Sequence, residues 1–136
     1  FYDPDAGLYA SYADEGGTRR GYHAYMQAAA LSAADNMPEA RKKSLCAALK
    51  APEGKMTKMT LAALPMLYDA VMATDGDIGW CVEKICSASG KMLFSGATSY
   101  WETENGEADF NDAGSLCHGW SAVGCYVFDK YLGGGK

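Results

Sequence analysis

From Gly21 to Leu132 the apolar residues recur at helical spacing in successive runs, each closed by glycine, proline or acidic turn residues, and this succession restricts the fold more than any other feature. Tyr22, Tyr25, Met26, Ala29 and Ala30 fall at i, i+3, i+4, i+7 and i+8, which predicts one helical face that ends at Asp35-Asn36. His23 and Gln27 lie one turn apart on a neighbouring face, where structural roles suffice for both. Pro38 suits the first turn of a second helix running to about Lys50 through Leu45, Ala48 and Leu49, with Arg41, Lys42 and Lys43 on its wet side. Pro52-Glu53-Gly54 predicts a loop. A third helix over about Thr60 to Ala73 carries Leu61, Leu64, Leu67, Tyr68 and Val71, and Pro65 inside it predicts a kink or a late start. After Asp75-Gly76-Asp77 a fourth runs from Ile78 to Ala88 with Cys81, Val82, Ile85 and Cys86 inward, closed by Ser89-Gly90. The last is expected over about Ser115 to Leu132, ending in Gly133-Gly134-Gly135.

The start reads as extended structure and turns. Pro4, Gly7, Gly16 and Gly17 punctuate residues 1–18, and Gly7 to Ala13 alternates bulky with small side chains, as in a half-buried strand. The expected fold is therefore all-α: helical hairpins over 19–132, a short β-hairpin or extended segment before them, and a tail over 133–136. With 136 residues, 49% of them hydrophobic and 21% charged, the chain has the size and composition of one globular domain.

Charge narrows the partners. The net charge is -5, and the twelve Lys and Arg are spread along the chain, which argues against nucleic acid, where phosphate neutralisation needs clustered basic groups. No apolar run approaches the roughly 20 residues that span a bilayer. Phe1-Tyr2-Asp3-Pro4-Asp5 has neither the basic flank nor the apolar stretch of a signal peptide, and the absence of an initial Met suggests a start inside a longer protein, so localisation stays open. Cys46, Cys81, Cys86, Cys117 and Cys125 form no Cys-x-x-Cys pair and have only two histidines for company, so free, mostly buried thiols are expected, with one disulfide as the alternative. Neither a metal nor a cofactor is called for.

Lys91 to Asp112 has no helical period, and the chemistry is concentrated there and at the start of the helix after it, where Glu102, Glu104, Glu107, Asp109, Trp101, His118 and Trp120 lie between Gly96 and Ser121. Sugar-cleaving sites use such parts: carboxylates handle the proton and the water, and aromatic faces stack on the apolar face of a pyranose. Recognisable serine-nucleophile motifs are missing.

Gly96-Ala97-Thr98-Ser99-Tyr100-Trp101-Glu102, followed by Ser115-Leu116-Cys117-His118, resembles the closing motif of bacterial α-L-rhamnosidases, glycoside hydrolase family 78, and their six-hairpin relatives. Tyr25 to Leu31 is similar to the Gln-containing inner helix of those enzymes, and Leu67-Tyr68-Asp69-Ala70 to the leucine-rich helix before the glutamate loop. The resemblance implies that roughly residues 19 to 132 form the last third to half of an (α/α)6 barrel. It implies Glu102 as the general base of an inverting reaction on terminal α-L-rhamnosides or a related sugar, His118 as a sugar contact and Trp101 as a pocket wall. Trp120 is the remaining substrate-binding candidate, with core packing as its competing reading. The family's general acid comes from loops upstream of any segment matched here, so the chain alone should be inactive. Thr103-Glu104 replaces the family's second aromatic, and Cys117 stands where Asn is frequent; both bear on substrate rather than fold. Glu104, Glu107 and Asp109 are read as solvated or loop-bracing, and Glu102 and His118 have structural rivals as a loop-holding acid and a helix cap. The alternative is a non-catalytic helical module that binds carbohydrate or protein. Half a barrel would also expose its apolar inner face and self-associate.

Overall fold

The computed structural model describes residues 1–33, 35–51 and 56–134, which divide into two compact units. The Pro52-Glu53-Gly54 loop lies outside the described residues, as do Gly135 and Lys136 of the tail. Among the described residues five α-helices and two short β-hairpins make a predominantly helical chain, in line with the all-α expectation.

One unit comprises Phe1–Met59 and Met66–Gly76. Strand β1 (Tyr2–Asp3) pairs antiparallel with β2 (Leu8–Tyr9), placing Tyr2 opposite Tyr9. Asp3 sets the turn: its Oδ1 accepts from the amides of Asp5 at 3.0 Å and Ala6 at 3.3 Å, and Gly7 closes it with φ 69°, where a Cβ would be strained. Strand β3 (Tyr12–Ala13) pairs with β4 (Arg19–Arg20) around a second aspartate turn, in which Asp14 accepts from the Gly16 and Thr18 amides and pairs with Arg20. Extended structure thus reaches Arg20, two residues beyond the expected boundary.

Helices α1 (Ala24–Ala33) and α2 (Glu39–Lys50) pack on one another, and α1 also packs on β2. Leu8, Met37 and Leu45 form a buried cluster flanked by Tyr9, Tyr22, Leu31 and Ala48. The face of α1 differs from expectation: Ala24, Gln27 and Ala28 are buried, and Tyr25 is 48% exposed. Half of this helix is alanine, so its apolar period is weak, and hydrogen bonding by Gln27 decides which face turns inward. Helix α3 (Leu64–Asp75) starts at the residue before Pro65, after a 3-10 turn over Leu61–Ala63, so the proline marks a late start. At its end Asp75 accepts from Lys50 Nζ at 3.0 Å and Cys46 Sγ at 3.5 Å, both on α2.

The other unit comprises Thr60–Pro65 and Asp77–Lys136. Asp77 caps α4 (Ile78–Phe94) by accepting from the Trp80 amide at 3.0 Å. This helix continues past Ser89-Gly90 to Phe94. Glycine inside a helix costs about 1 kcal/mol. Continuing brings Met92 to 3% exposure, and full burial of such a side chain contributes about 1.5–3 kcal/mol, so burial wins. Helix α5 (Val123–Leu132) packs on α4 at Gly124, where a Cβ would lie 3.0 Å from Ile85 Cγ2. It begins eight residues later than expected, because the backbone from Ser115 to His118 is paired with the segment before it instead of with itself. All five cysteines are thiols rather than halves of a disulfide; Cys46 and Cys81 are buried, whereas Cys86, Cys117 and Cys125 are exposed, correcting the expectation of mostly buried thiols.

Candidate functional site

The glycine that opens the Gly-Ala-Thr-Ser-Tyr-Trp-Glu segment is the residue that ends α4. Gly96, at φ 89°, donates to the Leu93 carbonyl at 3.0 Å, and Ala97 donates to the Met92 carbonyl at 3.0 Å, the paired bonds of a Schellman C-cap. From this fixed exit the chain runs antiparallel to residues 115–118. Glu102 donates its amide to the Ser115 carbonyl at 2.8 Å, His118 donates to the Tyr100 carbonyl at 2.7 Å, and the Ser99 hydroxyl donates to the Leu116 carbonyl at 2.5 Å. The two motif halves, separated by twelve intervening residues, form one backbone clasp.

Glu102 fastens the clasp a second time, its Oε2 accepting from the Ser115 amide at 3.1 Å. It is half-buried, and among the described residues its other carboxylate oxygen has no hydrogen-bond partner. Trp101 lies against Gly106, where a Cβ would come within 2.8 Å of the indole and 3.1 Å of Leu116 Cδ2. Gly114 is tighter still: a Cβ there would sit 2.0 Å from the Gly106 carbonyl oxygen. Two glycines therefore let backbone, indole and leucine meet inside the loop, so Trp101 fills the loop interior as well as standing next to Glu102.

His118 is half-buried and precedes a 3-10 turn over Gly119–Ser121, accepting from the Ser121 amide through its carbonyl at 3.0 Å. Its ring makes no hydrogen bond or ion pair among the described residues, which leaves both nitrogens open to a ligand. Trp120 is 79% exposed, which removes core packing as its role. Ser121, next in sequence, is 4% exposed, and its hydroxyl has no hydrogen-bond partner among the described residues.

Tyr100 lines a cavity of about 290 Å³ together with the apolar Met92, Leu93 and Ala97 and the hydroxyl-bearing Ser89, Thr98 and Ser99. Burial pushes the Tyr100 phenol above its ordinary pKa, and the adjacent Cys125 thiol adds to the effect. The rest of the loop is bracing: Asn105 donates to both Asp109 oxygens at 3.1 and 3.2 Å and accepts from Lys91 Nζ at 2.8 Å. The Thr103 hydroxyl and Asn105 amide hold the Asp109 carboxyl below the usual aspartate range. Phe110, Asn111 and Asp112 follow at φ 55°, 59° and 63°, a left-handed turn that brings the Gly114 amide back to the Asp109 carbonyl at 3.1 Å. Glu104 and Glu107 are exposed.

No protein-family model, curated protein or solved structure matches the chain. Among the described residues no three His, Cys, Asp or Glu side chains gather closely enough to hold a metal ion, and no helix is long and apolar enough to cross a membrane.

A serine–histidine contact in the first unit escaped the sequence reading. Ser11 Oγ lies 2.6 Å from both His23 Nδ1 and the Gly21 carbonyl oxygen. A carbonyl only accepts, so the hydroxyl proton goes to Gly21 and the imidazole donates from Nδ1. The histidine therefore does not act as a base toward Ser11, and the pair fastens β3 to the start of α1. Gln27, fully buried, does comparable work one turn on. Its Oε1 accepts from the Tyr9 amide at 2.7 Å, and its Nε2 donates to the carbonyls of Tyr9 at 2.8 Å and His23 at 3.1 Å. A lone amide among alanines was the available sequence signal for such a clamp.

Proposed function

We propose that this chain is part of a glycoside hydrolase catalytic domain of the six-hairpin (α/α)6 kind, which hydrolyses terminal α-L-rhamnosides or a related sugar with inversion. Glu102 accepts a proton from the water that attacks the anomeric carbon, while a general acid from outside this stretch protonates the departing oxygen. Such a pair stands about 6.5–9.5 Å apart, leaving room for the water. His118 binds a sugar hydroxyl, and Trp101 and Trp120 supply aromatic surface for the apolar face of the ring.

The observation that carries this reading is the clasp: backbone bonds from Glu102 to Ser115 and from His118 to Tyr100 join the two halves of the motif. Placement of a free carboxylate oxygen and an unpartnered imidazole on the same clasp, next to a cavity lined by hydroxyl-bearing and apolar residues, is consistent with polyol binding. Release of 4-nitrophenol from its α-L-rhamnoside by the full-length protein tests it. Glu102→Gln keeps the hydrogen bond to Ser115 and removes the base, so turnover should fall by about 10²–10⁴. Unchanged turnover would remove Glu102 from the mechanism.

A second reading, a non-catalytic helical module that binds carbohydrate or protein, is favoured by the exposed apolar side chains of the second unit. Phe94 is 93% exposed, Leu93 68%, Trp120 79% and Phe110 58%, a pattern that suits a covered surface. Sedimentation of the 136-residue chain separates the two arguments for coverage: half a barrel should self-associate as concentration rises, and a monomer at every concentration counts against it.

A further inference from the structure

We propose that the cleft between α1 and α2 in the first unit is a binding site for a small zwitterion, with an α-amino acid as the ligand class. The cleft encloses about 330 Å³, and Tyr9, Asp35, Asn36, Met37, Pro38 and Arg41 are among its walls. At about 30 Å³ per water-sized group this admits a molecule of roughly ten heavy atoms.

The ligand class follows from two residues of opposite charge that line the same cleft without pairing with each other. Arg41 stands in the first turn of α2, its guanidinium 3.8 Å from the centre of the Tyr2 ring. Among the described residues no hydrogen bond or ion pair engages it. Its donors are thus free, while stacking fixes the plane in which they point. Asp35, which also lines the cleft, likewise has no ion-pair partner among the described residues. A fixed guanidinium fork selects a carboxylate, and a neighbouring carboxylate selects an ammonium. A simple anion would meet repulsion from Asp35, and a simple cation repulsion from Arg41. Only a ligand carrying both charges satisfies both residues, with the Asn36 amide as an additional polar contact.

The site is also held rigid. Tyr2 meets Tyr9 edge-on at 5.1 Å, and the buried Gln27 amide clamps both backbone groups of Tyr9. Arg41, Tyr2, Tyr9 and Gln27 therefore form one continuous support reaching from the cleft into the core, which limits the ordering required on binding.

The test is a titration of the full chain with each of the twenty common amino acids, followed by amide NMR shifts, with acetate and methylammonium as single-charge controls. At least one amino acid should shift Asn36 and Arg41 with an affinity about tenfold or more above either control, as expected when a second charged hydrogen bond is added. Arg41→Gln and Asp35→Asn should each weaken that ligand about tenfold, with unchanged far-UV circular dichroism showing that the variants fold. Lack of any shift in the cleft up to about 10 mM, or acetate binding as well as the best amino acid, overturns the proposal. So does a ligand whose affinity is unaffected in both variants.

Discussion

Gln27 offers the sharpest check on how the first unit is held together. It is fully buried on α1, and its amide satisfies the N–H and C=O of Tyr9 together with the His23 carbonyl. Gln27→Leu conserves approximate size and apolar contact but leaves the two Tyr9 groups without their partner. Each orphaned group costs about 1–3 kcal/mol, giving roughly 2–6 kcal/mol in total. That is a large share of the 5–15 kcal/mol typical of a domain, and should lower the urea midpoint by about 1–3 M. Gln27→Glu isolates the donor role. One carboxylate oxygen still accepts from the Tyr9 amide, but the other faces two carbonyl oxygens and needs a proton, so the folded pKa rises above the unfolded value of about 4.3. A raised acid contributes its stability below the unfolded pKa and loses it as pH rises. The Glu variant should therefore lie closest to the parent below about pH 4, and fall behind by about 1.4 kcal/mol per pH unit until the folded pKa is passed. Urea unfolding of the three proteins from pH 4 to 7, followed by circular dichroism, measures this difference. A Leu variant within about 0.5 kcal/mol of the parent, or a Glu deficit independent of pH, would refute the clamp.

Three further outcomes follow from the second unit and the turns. Gly114→Ala places a methyl 2.0 Å from the Gly106 carbonyl oxygen, where only backbone movement relieves the clash; stability should drop by about 1–3 kcal/mol or more, read by thermal unfolding with tryptophan fluorescence. Ser121→Ala removes a buried hydroxyl with no partner among the described residues, so the variant should gain about 1 kcal/mol or more in urea, and a loss would mean that the hydroxyl is satisfied in solution. Asp3, Asp14 and Asp109 are all held below the ordinary aspartate pKa, Asp3 first by the Tyr22 hydroxyl, Asp14 by the Thr18 amide and Asp109 by the Thr103 hydroxyl. Their contribution is present above about pH 4 and lost as pH falls through the lowered values, so carboxyl NMR should show all three titrating below an ordinary aspartate; a normal midpoint for any of them contradicts its turn geometry.

How much of this was legible depended on how local the cause was. Helix α2 and the first turns of α4 follow from residues a few positions apart: Leu45 and Leu49 give α2 its buried stripe, and Asp77 caps α4 through a bond three residues long. The late start at Pro65 is equally local, because proline fixes its own φ and lacks the donor a helix interior requires. The density of carboxylates and aromatics after Gly96 was visible as composition, and its likeness to a glycosidase loop as order.

The sequence alone determined that residues after Gly21 would be mainly helical, with turns near Pro4 and Gly7, at Gly16-Gly17 and at Gly76, because short-range hydrogen bonds and side-chain spacing decide those features. Tertiary structure decided that α4 continues through Gly90, since burial of Met92 outweighs the glycine penalty. It decided that Ser115–His118 is not helical, because pairing with Tyr100 and Glu102 takes the hydrogen bonds a helix would have used. The same holds for Gln27 turning inward and for Arg41 and Asp35 lining one cleft. Each depends on a partner distant along the chain or on a space enclosed by several elements, and no local pattern encodes either.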